Sequence, residues 1–289
     1  MRYTITHSTL YTYSHPVQLG THCVKLCPRT DGAQHLHSFD LAVEPAPRQQ
    51  TALLDPDGNI GHRVWFEPTP VNQLKLVTTT EVETFRTNPF DYLTAPWAIV
   101  LPWDYPSSLA LRLGPYLART PVRILHPKVI EFAHDILYQV NSNAGLFVTQ
   151  LTQAIYDQCD YSQRLEGEPY PAGMTLTQKA GTCRDFAVLW IEACRAVGLA
   201  ARFVSGYQQR DPDQSTDKAE HDLHAWAEVY MPGGGWRGFD PTLGLAVADG
   251  HVAIAATADP RHAAPVKGQL QALQSHPQTT LDCNIILKT

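Results

Sequence analysis

Residues 181–203 read GTCRDFAVLWIEACRAVGLAARF. Phe186, Trp190, Ala193, Cys194 and Val197 recur at helical spacing on one face, and Gly198 supplies a C-terminal stop. Cys183 opens this helix, directly after a Gly181-Thr182 turn and directly before Arg184 and Asp185. A structural cysteine behaves as a small hydrophobe and belongs deeper in, where Cys194 lies. The first turn of a helix presents unpaired N–H groups with positive partial charge. It favours a thiolate and offers donors to a developing oxyanion. Cys183 is therefore a candidate nucleophile. Asp185 in the first turn suits the helix dipole or a structural pair.

Downstream of Gly198 the texture changes to short strands, ARFVSGYQQ, HAWAEVYM and GWRGFDPT, with PGGG as a tight turn between the last two. If HAWAEVY and WRGFD pair as a hairpin, His224 and Asp240 fall at the same open end. His224 can then share the thiol proton. Asp240 can accept the other imidazole N–H and fix its tautomer. Alternation puts Trp226 on the face of His224, either as a wall of the substrate cleft or as core. His221 and His224, with Asp217, Glu220 and Asp222 nearby, offer nitrogen and oxygen ligands of the kind zinc takes, but no second Cys/His pair has finger spacing. The acidic run reads as a solvated loop entering a strand, and no metal is expected.

The rest of the 289 residues has two textures. RYTITHSTLYTY, HLHSFDLAV, TALLDPDGNIGHRVWFE (two runs around Asp57-Gly58) and NQLKLVTTTEVETF predict a β-sandwich over residues 1–90. Prolines punctuate residues 91–127, which read as a connecting segment, with 96–106 packing between domains. Residues 128–289 form the second domain. HPKVIEFAHDILYQV, with Val129, Phe132, Ala133 and Ile136 on one face, and NAGLFVTQLTQAIYDQC predict two further helices. TLDCNIILKT is a last strand. Hydrophobic residues at 44% against 17% charged predict a packed core, and a net charge of -6 without a basic run argues against nucleic acid. Six scattered cysteines read as reduced thiols. The apolar run APWAIVLPW is too short to span a bilayer, and MRYTITHSTLYTY lacks the apolar core of a secretory signal, so a soluble cytoplasmic protein is expected.

GTCRDFA, HAWAEVY and GFDPT, in that order, resemble the signature of the transglutaminase-like superfamily. The chain is most similar to bacterial members with an N-terminal β-domain. CRAVGLAARFVSGY and GGGWRGFDPT extend the resemblance, which is strongest from about Tyr161 to Gly244. It implies an α+β fold whose core is like that of papain-like cysteine peptidases, with the Cys at a helix N-terminus and the His and Asp on adjacent strands. By that match Cys183 is the nucleophile, His224 the base and Asp240 the orienter. The implied activity is acyl transfer from an amide or peptide bond through a thioester, without a cofactor, on a protein or peptide substrate. Hydrolysis is favoured over transfer to an amine, and a non-catalytic peptide-binding module is the rival. The Cys183 backbone N–H is one oxyanion donor, and Gln178 or Tyr161 is a candidate for the second. The tract ATADPRHAAP after DGHVAIA departs from the more polar, Arg- and Asp-containing segment that the resemblance predicts.

Overall fold

A computed structural model describes residues 1–117, 125–164, 167–209, 223–273 and 277–289. Five strands come first: β1 (Arg2–Val24), β2 (Gln34–Glu44), β3 (Gln49–Leu54), β4 (Ile60–Trp65) and β5 (Val71–Thr84). Then follow α1 (Ser107–Leu113), α2 (Pro127–Gln139), α3 (Ala144–Gln158), β6 (Asp160–Tyr161), α4 (Ala172–Gln178), β7 (Ala180–Gly181) and α5 (Cys183–Ala196). The chain closes with β8 (Ala201–Gln208), β9 (His224–Met231), β10 (Gly235–Asp240), β11 (Leu245–Ala246), β12 (His251–Thr257), β13 (Val266–Ala272) and β14 (Thr279–Lys288).

The β-rich N-terminal region is a single curled sheet of seven strands rather than the expected sandwich. Its centre is β1, where Tyr3, Ile5, His7 and Thr9 face inward and the even positions between them are exposed or half-buried. The register of β1 shifts between Thr12 and Val17. Before that point it lies between β5 and β14, and after it between β4 and β13. The β3–β4 hairpin turns where expected. Asp55 accepts the N–H groups of Asp57 and Asn59, and Gly58 takes the φ of +78° that side chains resist.

Two expectations fail here. The C-terminal strand, assigned by sequence to the catalytic core, pairs with β1 from Thr4↔Lys288 to Tyr13↔Thr279. The Pro-rich segment is no mere connector. Trp103 and Tyr105 are buried with Leu101 and Leu113 in the same core as α2, α3 and α5, and Trp97, Trp103 and Tyr105 meet edge to face.

The second sheet runs β11-β10-β9-β8-β12, all antiparallel. Ala225, Ala227, Val229 and Met231 alternate along β9 and share a core with Phe186, Leu189, Trp190 and Ala193 of α5. Helix α2 begins as expected with Pro127 behind a His126 cap and buries Val129, Ala133 and Ile136. Asn143 caps α3. No helix among the described residues is long and apolar enough to cross a membrane.

The two sheets meet at β12. An edge strand leaves a row of unpaired N–H and C=O groups, and a buried one must find partners for them. The side-chain amides of the N-terminal sheet provide them. Gln34 accepts the Ala253 N–H at 2.7 Å and donates to its carbonyl at 2.8 Å. Asn59 accepts the Ala256 N–H at 2.8 Å and donates to its carbonyl at 3.2 Å. Tyr207, Val252 and Ile254, from β8 and β12, complete the apolar core of the curled sheet.

Candidate active site

Cys183 is the first residue of α5, as its position after Gly181-Thr182 predicts, and it is 8% exposed. Asp185, two residues on, is wholly buried and holds the approach to the helix. Its Oδ2 accepts the Thr182 N–H at 2.8 Å and the Thr182 hydroxyl at 3.0 Å, a capping-box contact. Its Oδ1 accepts from Arg164 and from the Tyr170 N–H, each at 2.7 Å. Arg164 also lies over the Tyr170 ring at 3.9 Å. The structural reading of Asp185 therefore holds. Its partner Arg164 was missed because nothing local ties residue 164 to residue 185. Arg184 donates to the carbonyls of Arg164 and Gly167 and ties the same loop to the helix.

The hairpin forms in the expected register, from Met231↔Gly235 to Ala227↔Phe239, across the Pro232-Gly233-Gly234 turn. It brings His224 and Asp240 to one end, with His224 Nε2 2.6 Å from Asp240 Oδ2. Cys183, at the start of α5, lies near enough to the same imidazole to act on its charge, and Nδ1 is the ring nitrogen that Asp240 leaves open. Burial opposes charge on His224. The Asp240 carboxylate and then the Cys183 sulfur outweigh it and raise the imidazole pKa to about 10. Burial likewise opposes charge on Asp240. The His224 charge, with hydrogen bonds from His224 and His251, outweighs it and holds the carboxyl far below the ordinary carboxylate range. The ionised carboxylate can keep a proton on the ring. Burial pushes Cys27 up to about 12 and raises Cys159 and Cys194, so those cysteines stay protonated.

The remaining candidates separate. Tyr161 pairs with Gly181 through the short parallel β6–β7 contact, beside the turn that delivers Cys183, and is half exposed. Gln178 is exposed at the end of α4. Trp226 is not a cleft wall. It is 1% exposed, stacks on His224 at 6.3 Å between centroids, and packs with Val204, Ala253 and Ala256. A Cβ on Gly206 would lie 2.6 Å from its ring, so the absence of a side chain there lets the indole back His224. The tract after β12 forms a short turn over Pro260–His262 capped by Asp259, and the Ala258 carbonyl accepts from the buried Arg195.

His251 was not foreseen. It donates from Nε2 to Asp240 Oδ2 at 3.1 Å, and its only sequence signal is a polar ring heading the apolar strand HVAIAAT. His224, Asp240 and His251 thus bring three ligand atoms together. Their spacing suits shared protons better than an ion. Two ligands on a tetrahedral zinc at about 2.0–2.1 Å stand roughly 3.3 Å apart, whereas His224 Nε2 and Asp240 Oδ2 are 2.6 Å apart. His221, Asp217, Glu220 and Asp222 lie outside the described residues.

Comparison with known proteins agrees with this architecture. Residues 131–241 match the Transglutaminase-like superfamily, and residues 3–83 match the Bacterial transglutaminase-like N-terminal region. Uncharacterised proteins of Mycobacterium tuberculosis and Mycobacterium bovis are 29% identical over 280 residues, covering 92% of this chain and 87% of their own. A protein-glutamine gamma-glutamyltransferase of Pseudomonas aeruginosa is 34% identical over 71 residues, 24% of this chain and 11% of that one. The crystal structure of a candidate cysteine protease from Cytophaga hutchinsonii superposes with a TM-score of 0.73 at 24% identity, covering 100% of this chain and 90% of that one, and shows the same fold. With both regions matched and the cysteine-bearing helix set against the histidine and aspartate strands, the chain belongs to the transglutaminase-like superfamily, its core preceded by the bacterial transglutaminase-like N-terminal region.

Proposed function

We propose that this protein is a cysteine-dependent enzyme that cleaves amide or peptide bonds through a thioester, with hydrolysis as its principal outcome. The observation that carries the reading is the buried His224–Asp240 pair at 2.6 Å, with Cys183 at the N-terminus of α5 acting on the same imidazole. Cys183 Sγ, its proton held on His224, attacks the carbonyl carbon of the substrate. The oxyanion forms at the N-terminus of α5, where the Cys183 backbone N–H is a donor. His224 then protonates the leaving nitrogen, the C–N bond breaks, and a thioester remains on Cys183. Water gives a proton to His224 and attacks the thioester. The acid leaves, and the proton returns to the sulfur. Asp240 keeps its charge throughout and holds the ring in the productive tautomer.

Resolution by an amine in place of water would crosslink instead of hydrolyse. The short match to a gamma-glutamyltransferase favours keeping that outcome as a second reading. The substrate is a protein or peptide and no cofactor takes part. The cytoplasm suits a chain with six free thiols. The test is to trap the acyl-enzyme from a peptide library and read the mass added to Cys183, with and without a fluorescent primary amine. An acyl adduct on Cys183, absent in Cys183→Ala and discharged to free acid, supports hydrolysis. Discharge mainly to the amine supports crosslinking. No adduct from any peptide overturns the enzyme reading in favour of a binding module.

A further inference from the structure

Asp240 carries two imidazoles, and the triad chemistry uses one. Its Oδ2 accepts from His224 at 2.6 Å and from His251 at 3.1 Å, while Oδ1 accepts the Thr242 N–H at 2.9 Å. All three side chains are buried, Asp240 completely. The His251 ring meets Trp226 edge-on at 5.1 Å, and Trp226 stacks on His224, so the two histidines and the indole surround the carboxylate. A carboxylate held by one side chain can turn about its last torsion and exchange oxygens. Donors on both oxygens, two of them converging on Oδ2, fix its plane and choose the oxygen that faces His224.

We propose that His251 is a positioning residue that orients His224 through Asp240. The strand that delivers it is fixed independently. His251 begins β12, whose outer backbone groups are held by Gln34 and Asn59 of the N-terminal sheet. The N-terminal region therefore acts on the site through β12. Its side-chain amides set the strand, the strand sets His251, and His251 sets the carboxylate. This inference rests on Cys183 and His224 forming a thiolate–imidazolium pair.

The test is the rate of Cys183 alkylation by iodoacetamide at about pH 6, where an ordinary thiol of pKa near 8.5 is almost wholly protonated. Wild type, His251→Gln, His251→Phe and His251→Ala are compared. Glutamine keeps an N–H donor at similar reach and should stay close to wild type. Phenylalanine fills the space without a donor and should slow labelling about ten- to a hundredfold, the worth of a hydrogen bond to a charged group. It should also move the pH dependence of labelling towards that of an ordinary thiol. His251→Ala should be equally slow and should recover when free imidazole is added, which keeps the test open if the Phe variant does not fold. Wild-type rates in the Phe or Ala variants would overturn the proposal. So would equal slowing by Gln and Phe with no recovery by imidazole, since packing alone would then explain the effect. Absence of selective labelling in the wild type would instead remove the ion pair on which the inference rests.

Discussion

Asn59 offers the cleanest test of how the two sheets are joined. It is fully buried, and it satisfies both the N–H and the C=O of Ala256, itself fully buried on β12. Asn59→Leu keeps the approximate volume, so no room opens for water, but removes both partners. Each orphaned backbone group costs about 1–3 kcal/mol, giving a predicted loss of roughly 2–6 kcal/mol for the two together. Asn59 Nδ2 also donates to both oxygens of Asp55, so the turn at residues 55–59 loses support as well and the estimate sits nearer its upper half. Urea unfolding of the purified variant reads the total. Hydrogen exchange at the Ala256 amide reads the local effect and should accelerate well beyond the rest of β12. A stability change below about 0.5 kcal/mol, the usual range for surface substitutions, with unaltered Ala256 exchange, would refute the claim that these amides seal the edge.

Asp240→Asn should keep the fold and lower turnover about 10³–10⁴-fold, because the imidazole loses its charged orienter; steady-state kinetics on the trapped substrate's peptide checks this, and wild-type turnover would make Asp240 structural only. His7 is buried against Tyr207 and Thr9, and burial lowers its pKa to about 4. The unfolded chain therefore binds a proton near pH 6.5 that the folded one refuses until about pH 4, and stability should fall by about 3 kcal/mol as pH drops through that window. His7→Gln should flatten this slope in urea midpoints measured between those limits, though not abolish it, because burial lowers His22 and His62 in the same sense; an unchanged slope would contradict the assignment.

How legible this molecule is in its sequence follows from the range of each interaction. Cys183, His224 and Asp240 could be read because each sits on an element with a local signal. Helical periodicity marks α5, and two short strands around PGGG define a hairpin whose register brings residues 224 and 240 together. Helices α2, α3 and α5 and the longer strands of the N-terminal sheet were legible for the same reason, whereas the seven-residue helices α1 and α4 were not foreseen. What escaped depends on partners far along the chain. Alternation identified TLDCNIILKT as a strand but carries no information about its neighbour, and the pairing of Thr4 with Lys288 is invisible to it. His251 reaches Asp240 only because β12 folds back beside β8, beyond any window of periodicity. Trp226 looked equally suited to cleft and core, and the decision came from Gly206 on the next strand, which leaves space for the indole. The prolines of residues 91–127 read as a connecting segment, yet Trp103 and Tyr105 among them are core.

The central claim is that Cys183 and His224 form a thiolate–imidazolium pair, and the pH dependence of Cys183 alkylation tests it most directly. Peptide mapping after brief iodoacetamide exposure, from about pH 5 to pH 10, gives a rate for each cysteine in wild type and in His224→Ala. With the His224 pKa raised to about 10, the proton stays on the ring across most of that range. A Cys183 thiolate paired with that ring should label rapidly and almost evenly from about pH 6 upward, while Cys27, Cys159 and Cys194, whose thiols burial raises, remain unlabelled. In His224→Ala the rate at pH 6 should collapse and recover only towards an ordinary thiol pKa of about 8.5. Cys183 labelling that rises with pH like an ordinary thiol in the wild type, or that is unchanged by His224→Ala, would contradict the account.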